Sequence, residues 1–334
     1  MVPLTSIIRG LLLCAFLISP LSAESLPGKG ISVYPLQSTI EEEAFQTLLV
    51  SRALSVLGYE VYPIKKLDYD SAYARIASND ATFMAVNWAP LHRDKYLAAG
   101  GDQRFYRQGH LIIGAAQGYL IDKKTAAKHG ITNLSQLKDA DIARLFDIDG
   151  DGVADLVGCD LGWACQSVIE HQLTVFGLDQ RVVQQQSGYA VLMEQTVRRF
   201  KAGKPVLYYS WTPYWVNAVL KPGTDVVWLQ VPFSALPGKR SGTDTTLPTG
   251  DNYGFEINSQ RIVANRKFAE QNPVAAKLFE VMKLSPQDVS AQNLQMHQGE
   301  RSAEDIERHV TEWIDHNQAL FNGWLSIALA ATHQ

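Results

Sequence analysis

Apolar residues in the first third of the chain recur with two different periods. Helical spacing is present over 41–58 and over 69–78. Short runs rich in β-branched and aromatic residues lie before, between and after these segments, at 30–36, 59–64 and 81–88. The order strand, helix, strand, helix, strand predicts a parallel sheet with helices on its faces. Ser38 and Glu41, three residues apart, predict a capping box at the first helix.

The rest of the chain repeats this alternation and then becomes helical. The pattern predicts a strand and a helix within 114–130, a helix over 189–203, and strands at 203–211 and 224–233. A polar, turn-rich segment at 237–254 predicts an exposed loop, and helical patterns dominate from residue 264 onward. The sequence therefore predicts an α/β protein with two α/β regions.

The N-terminus has the pattern of a secretory signal peptide. Arg9 precedes the apolar run "GLLLCAFLIS", and "LSA" at 21–23 supplies small residues before a cut. The apolar run is too short to span a membrane. A lipid anchor on Cys14 is disfavoured because the preceding Leu13 is not small. We therefore expect an exported protein from which residues 1–23 are removed.

The composition and charge of the chain narrow the classes of function that it could have. The 334 residues carry a net charge of −4, and 46% of them are hydrophobic, which is ordinary for a globular protein. The length fits two domains or one large α/β unit. Nucleic acid is not an expected partner, because phosphate binding needs clustered Lys and Arg and the sequence has no long basic run.

Two cysteines, Cys159 and Cys165, follow the leader. An even pair in an exported protein favours a disulfide. Closing so short a loop stabilises a fold by about 2 kcal/mol through chain entropy. Zinc binding is the alternative, and it is disfavoured because no His or Cys with ligand spacing clusters nearby.

Two segments share the same unusual sequence pattern. "AVNWAPLH" (85–92) and "YYSWTPYW" (208–215) each join a β-rich run to a Trp, a small residue and a Pro. In open α/β sheets, ligands bind beyond the carboxyl ends of strands, which is where Trp88 and Trp211 would lie. Trp163 lies in the cysteine loop, just before a predicted helix. The pattern alone leaves core packing and ligand contact about equally open for these three residues.

Three indoles suit a quaternary ammonium ion, because Trp faces attract cations and such an ion cannot donate hydrogen bonds. The backbone N–H groups of Ala164 and Cys165, at a predicted helix N-terminus, favour an anion such as a carboxylate. His92 would add a hydrogen-bond donor, although a lone His is more often an ordinary surface or core residue. The remaining tryptophans are predicted to serve packing: Trp215, Trp228, Trp313 and Trp324.

These motifs carry a family resemblance that covers essentially the whole chain after the leader. The chain resembles the periplasmic glycine betaine-binding protein of the osmoprotectant ABC importer at 26–54, 85–92, 115–126, 158–166, 208–215 and 225–238. The resemblance implies the type II periplasmic-binding-protein fold, in which two α/β lobes close over a ligand cleft. It implies one lobe of residues 24–118 plus 233–334 and a second of residues 119–232.

The resemblance also implies the site. It places an aromatic box on Trp88, Trp163 and Trp211, and carboxylate contacts on His92 and the backbone of Ala164 and Cys165. It further implies a disulfide between Cys159 and Cys165. Ala164 stands where a Gly is expected, which affects binding only if this position requires a positive φ.

The implied function is transport without catalysis or a required cofactor. A periplasmic monomer would capture glycine betaine, proline betaine or a similar zwitterion and deliver it to the membrane permease of an ABC importer. The rival class is an extracytoplasmic enzyme acting on a choline-like quaternary amine, which would need a nucleophile beside a base. The sequence contains neither a G-x-S-x-G nor an H-E-x-x-H motif.

The acidic segment "DIDGDGVAD" (147–155) is a separate signal. Positions 1, 3, 5 and 9 of a calcium loop are matched by Asp147, Asp149, Asp151 and Asp155. Gly152 fits position 6, but Gly158 stands at position 12, where the bidentate acid is missing. A structural calcium site and an acidic surface turn are therefore both open.

Overall fold

The computed structural model describes residues 26–333, which fold into two α/β lobes. The predicted signal peptide, residues 1–23, lies outside the described residues. Within 26–333, none of the helices has both the length and the apolar character needed to cross a bilayer.

The elements follow one another in three blocks. The first block comprises β1 (Ser32–Val33), β2 (Pro35–Gln37), α1 (Ala44–Val56), β3 (Glu60–Val61), β4 (Lys65–Lys66), α2 (Tyr69–Ser78), β5 (Phe83–Ala89), α3 (Arg93–Ala98), β6 (Phe105–Tyr106) and β7 (Ile112–Ala115). The second comprises β8 (Gln117–Asp122), α4 (Lys123–His129), α5 (Ala140–Ala143), β9 (Ala154–Val157), α6 (Ala164–Val175), β10 (Val182–Gln185), α7 (Tyr189–Lys201), β11 (Leu207–Trp211), α8 (Val216–Val219) and β12 (Val226–Leu229). The third comprises β13 (Asn258–Asn265), α9 (Arg266–Gln271), α10 (Pro273–Val281), α11 (Pro286–His297), α12 (Ala303–His316) and α13 (Gln318–Leu329).

The sheet of the first lobe draws strands from the first and third blocks. Its order is β4-β2-β5-β13-β6, and β7 also pairs with β13. The predicted parallel pairing is confirmed for β2 with β4 and with β5, whereas β13 runs antiparallel to β5. The hydrophobic pattern did not predict β13. Its sequence "NSQRIVAN" mixes polar and apolar residues, although seven of its eight residues are buried.

The sheet of the second lobe has the order β10-β9-β11-β8-β12. β9 runs parallel to β10 and β11, whereas β8 runs antiparallel to β11 and β12. The chain passes from the first sheet to the second at Ala116, between β7 and β8, and returns through residues 230–257. The lobe boundaries after residues 118 and 232 stay a prediction.

The helix α2 carries two tyrosines toward the region between the lobes. The Asp68 side chain accepts a hydrogen bond from the Ser71 N–H at 2.9 Å, which caps the helix N-terminus. Asn79, with a left-handed φ of 70°, ends the helix. Tyr69 and Tyr73 lie one turn apart on its buried face, so both side chains reach the same interior.

Candidate ligand-binding site

The two Trp-x-Pro motifs occupy equivalent places in the two lobes. Trp88 is the penultimate residue of β5, and Trp211 is the last residue of β11. The peptide bonds that follow, Ala89–Pro90 and Thr212–Pro213, are both cis. Because both strands end at the space between the lobes, each lobe presents one indole to the same cavity.

That cavity brings together all six residues predicted to bind a ligand. It is lined by Trp88, His92, Trp163, Ala164, Cys165 and Trp211. Five lining residues were missed by the sequence analysis, namely Ile40, Tyr69, Leu91, Gln117 and Tyr209. The cavity contains about 360 Å³ of space between atoms, including its open mouth.

Three indoles form walls of this cavity. The ring centroid of Trp211 lies 6.5 Å from that of Trp88 and 5.8 Å from that of Trp163. Both neighbouring rings stand at 81° to the Trp211 ring. Several indoles around one space can bind a compact organic cation, because a cation within about 6 Å of a ring centroid is attracted to the ring face.

Three tyrosines pack against Trp211. Its ring lies 4.4 Å from Tyr214, 5.1 Å from Tyr189 and 6.1 Å from Tyr209, centroid to centroid, with interplanar angles between 31° and 38°. All three tyrosines are buried. The dense aromatic segment that ends β11 therefore supplies a wall of the cavity and, together with Tyr189 of α7, the packing that fixes it.

A helix N-terminus also lines the cavity, next to Trp163. Ala164 and Cys165 are the first two residues of α6, and Trp163 is its N-cap. The first N–H groups of a helix have no intrahelical acceptor and favour an anion. Within 26–333, Asn79 is the one non-glycine residue with a positive φ. The replacement of the expected Gly by Ala164 therefore causes no backbone strain and leaves the N–H in place.

The predicted disulfide is confirmed. Cys159 and Cys165 are bonded, with their Cα atoms 5.9 Å apart, and both residues are buried. The same loop has a second anchor, because the Asp160 carboxylate accepts a hydrogen bond from the Tyr189 N–H at 3.0 Å. These two ties fix the segment that carries Trp163 and the N-terminus of α6.

His92 is buried at the edge of the cavity, just before α3. Burial lowers the pKa of His92 to about 3, and the positive charges of Lys95 and Arg240 act in the same direction. The imidazole is therefore neutral at physiological pH. Its Nδ1 atom lies 3.3 Å from the hydroxyl oxygen of Tyr73, and its ring stands edge-on to Tyr69, with centroids 4.2 Å apart.

Glu43 is a buried acid that supports the aromatic box. Its carboxylate accepts hydrogen bonds from the Trp88 indole N–H at 3.0 Å, the Ser38 hydroxyl at 2.6 Å and the Tyr69 hydroxyl. Burial raises the pKa of Glu43 to about 7, while the three donors lower it. The carboxylate fixes the Trp88 ring and places a titratable negative charge behind it.

The capping box predicted from Ser38 and Glu41 is wrong. Residues 41–43 form a turn of 3-10 helix ahead of α1, so Glu43 rather than Glu41 faces Ser38. Ser38 Oγ accepts a hydrogen bond from the Ile40 N–H at 3.0 Å. The Glu41 carboxylate instead lies 3.3 Å from the Lys66 ammonium at the surface.

The other four tryptophans, which were predicted to serve packing, do not line the cavity. Trp313 and Trp324 stack on each other between the C-terminal helices, with centroids 5.7 Å apart. Trp228 lies on β12 against Tyr253. Trp215 is buried and stacks on His297 of α11 at 3.5 Å, so its packing joins the two lobes.

The acidic loop is partly assembled. Asp147, Asp149 and Asp151 each place a carboxylate oxygen within 4.8 Å of the others. Asp155 is not part of this group, because its carboxylate accepts hydrogen bonds from the Ile148 N–H and the Gln185 side chain. Asp155, at position 9 of the predicted calcium loop, is thus engaged in hydrogen bonds within the protein. Calcium binding stays a prediction.

Comparisons with known proteins show the family of the chain. A family model described as the substrate-binding domain of ABC-type glycine betaine transport systems matches residues 35–316. The glycine betaine-binding periplasmic protein OusX of Dickeya dadantii is 61% identical over 93% of each chain. The glycine betaine/proline betaine-binding periplasmic protein of Salmonella typhimurium is 59% identical over 92% of this chain and 93% of its own.

A solved structure of similar fold is that of an ABC-transporter choline-binding protein in complex with choline. The TM-score is 0.68 at 20% identity, over 90% of this chain and 96% of that chain. The predicted type II periplasmic-binding-protein fold is thereby confirmed, and the comparisons give no support to the enzyme alternative. The chain belongs to the family of substrate-binding domains of ABC-type glycine betaine transport systems, which are transport proteins and not enzymes.

Proposed function

We propose that the protein binds glycine betaine between its lobes and delivers it to the permease of an ABC importer. The observation that carries this proposal is one cavity lined both by three indoles and by the N-terminus of α6. A zwitterion with a quaternary ammonium group at one end and a carboxylate at the other is complementary to both halves.

Each half of the ligand has its own set of contacts in this proposal. The trimethylammonium group packs against Trp88, Trp163 and Trp211, where desolvation strengthens the attraction between cation and ring. The carboxylate accepts hydrogen bonds from the N–H groups of Ala164 and Cys165 and from the neutral imidazole of His92. Both groups of the ligand are thereby satisfied without a charged protein side chain in direct contact.

The location of the protein and its second ligand are proposed from its relatives. Proteins about 60% identical to this chain are named as periplasmic, and one is named for proline betaine as well as glycine betaine. We accordingly place the protein in the periplasm as a monomer, after removal of residues 1–23, and include proline betaine among its ligands. Closure brings the lobe of 24–118 plus 233–334 onto the lobe of 119–232.

Calorimetric titration with three related solutes tests the ligand. Glycine betaine should bind at least about tenfold more tightly than choline, which lacks the carboxylate and loses charge-assisted hydrogen bonds. Glycine, which lacks the methyl groups that fill an aromatic box, should bind at least about 30-fold more weakly than betaine. Equal binding of betaine and choline would contradict the carboxylate site, and turnover of any solute would revive an enzymatic role.

Removal of the disulfide should weaken binding without unfolding the protein. The double variant Cys159→Ser, Cys165→Ser keeps the Asp160 anchor but frees the loop that carries Trp163 and the first N–H groups of α6. If the loop then holds its binding form a tenth of the time, affinity for betaine falls about tenfold. Titration after a melting curve measures this effect, and unchanged affinity would show that the loop is ordered without its bridge.

A further inference from the structure

A chain of three side chains leads from the surface of the first lobe to the buried edge of His92. Arg107, just after β6, donates from Nη1 to the Asn87 side-chain oxygen Oδ1 at 3.1 Å. The Asn87 side-chain amide nitrogen Nδ2 donates to the hydroxyl oxygen of Tyr73. That oxygen lies 3.3 Å from His92 Nδ1.

The direction of these hydrogen bonds is fixed at the Arg107 end. A guanidinium group only donates, so the atom of Asn87 that faces it must be the carbonyl oxygen. The NH₂ group of Asn87 must then point toward Tyr73 and donate to it. Arg107 is itself held in place, because its Cζ atom lies 3.8 Å from the centroid of the Tyr96 ring.

The orientation of the Asn87 side chain determines how the Tyr73 hydroxyl pairs with His92. The hydroxyl oxygen of Tyr73 already accepts from Asn87, and His92 Nδ1 is its one other hydrogen-bond partner within the described residues. The hydroxyl hydrogen is therefore satisfied when it is donated to Nδ1. Asn87, Tyr73 and His92 are all at most 2% exposed, so an unpaired proton or lone pair here would be costly. The arrangement that satisfies all three groups has Nδ1 as an acceptor.

We propose that Arg107, Asn87 and Tyr73 form a hydrogen-bond relay that holds His92 as the Nε2–H tautomer and thereby makes it a donor to the ligand carboxylate. His92 lines the cavity, whereas Tyr73 and Asn87 lie behind it. The three residues of the relay are positioning residues, because they act on the ligand only through His92. The donor role rests on the proposed function, but the tautomer is a property of the unliganded protein.

The variant Asn87→Asp reverses the relay with almost no change of shape. One carboxylate oxygen keeps the contact with Arg107, and the other replaces a donor by an acceptor. The Tyr73 hydroxyl then donates to residue 87 and accepts from His92, so the proton moves to Nδ1. Nε2, now without a proton, turns a lone pair toward the carboxylate of the ligand. Tyr73→Phe, which removes the relay hydroxyl alone, is the second variant.

Ring ¹⁵N NMR of the histidine-labelled, unliganded protein at about pH 8 reads the tautomer directly, because His92 is neutral there. We expect wild-type His92 to carry its proton on Nε2 and the Asn87→Asp variant to carry one on Nδ1. Tyr73→Phe should lose the coupling between Nδ1 and a neighbouring hydroxyl. His309, buried against Gln292 and far along the chain, is the internal control, and its ring signals should not move.

Titrations of the same variants separate the relay from a merely structural role. Asn87→Asp should bind glycine betaine about tenfold more weakly, the loss of one charge-assisted hydrogen bond, and should bind choline as the wild type does. Equal losses for both solutes, with an unmoved ring signal, would mean that the residues only support packing and would overturn the proposal.

Two further outcomes also overturn the proposal. Wild-type His92 with its proton on Nδ1 would contradict the relay itself. A reversed tautomer with undiminished betaine affinity would contradict the donor role. If instead the wild type does not bind betaine at all, the proposed function fails while the NMR result still decides the relay.

Discussion

Trp211→Leu should weaken the binding of glycine betaine by about 30-fold. Leucine keeps apolar bulk but removes the ring face that lies between Trp88 and Trp163. A desolvated cation–π contact contributes about 2 kcal/mol, which corresponds to this loss of affinity. Calorimetric titration measures it, after a melting curve has shown that the variant is folded.

The matched control for this variant is Trp228→Leu. Trp228 lies on β12 of the same sheet, is half-buried and does not line the cavity. Its replacement should lower the melting temperature while leaving betaine affinity nearly unchanged. Trp215 is less suitable, because its stack on His297 joins the two lobes and its loss would also affect closure. Normal binding by Trp211→Leu would mean that its indole is part of the core and not a wall of the site.

Local sequence patterns predicted those elements whose structure is determined by residues close together in the sequence. The helix α2 has the predicted bounds because its apolar spacing, its Asp68 cap and the left-handed Asn79 all act within one segment. The two Trp-x-Pro motifs were recognisable for the same reason, since each lies at the end of one strand. β13 was missed because its burial comes from β5 and β7, which are distant in sequence.

The candidate site was predicted where its residues lie in a recognisable motif. Trp88 and Trp211 were found through their repeated context and Trp163 through the cysteine loop, whereas the lining residues that were missed, and Tyr73 and Asn87, which do not line the cavity, carry no motif of their own. The role of Tyr73 and Asn87 depends on hydrogen-bond direction, which no spacing rule expresses.

Glu43 was missed for a different reason. It ends a run of three glutamates that looks like a solvated helix start, yet it is 3% exposed. In the structure Glu43 shares its buried face with Gln46, Thr47, Val50 and Leu54 of α1, but Gln46 and Thr47 are polar, so no apolar periodicity marks position 43 in the sequence. The carboxyl can be buried there because Ser38, Tyr69 and Trp88 supply the hydrogen bonds that a buried carboxylate needs.

The buried carboxyl of Glu43 should make the stability of the protein fall as the pH rises. Its pKa is about 7 in the folded protein, against 4.5 for an ordinary glutamate. Between these pH values the unfolded chain releases the proton while the folded protein keeps it, so the free energy of unfolding decreases with pH. The stabilisation from this group is complete below about pH 4.5 and is lost through pH 7, a change of about 3 kcal/mol.

Glu43→Gln isolates this effect, because the amide has the shape of the carboxyl but does not titrate. The Gln oxygen can accept from the Trp88 indole N–H and the Tyr69 hydroxyl, and its NH₂ group can donate to Ser38. Denaturant unfolding from pH 4 to pH 8 should show the wild type losing about 3 kcal/mol more than the variant over this range. Groups that do not interact with Glu43 titrate alike in both proteins and cancel in the difference. Parallel pH profiles would contradict a raised pKa at Glu43 and would mean that the carboxyl behind Trp88 ionises like an ordinary glutamate, as a negative charge beneath the aromatic box at neutral pH.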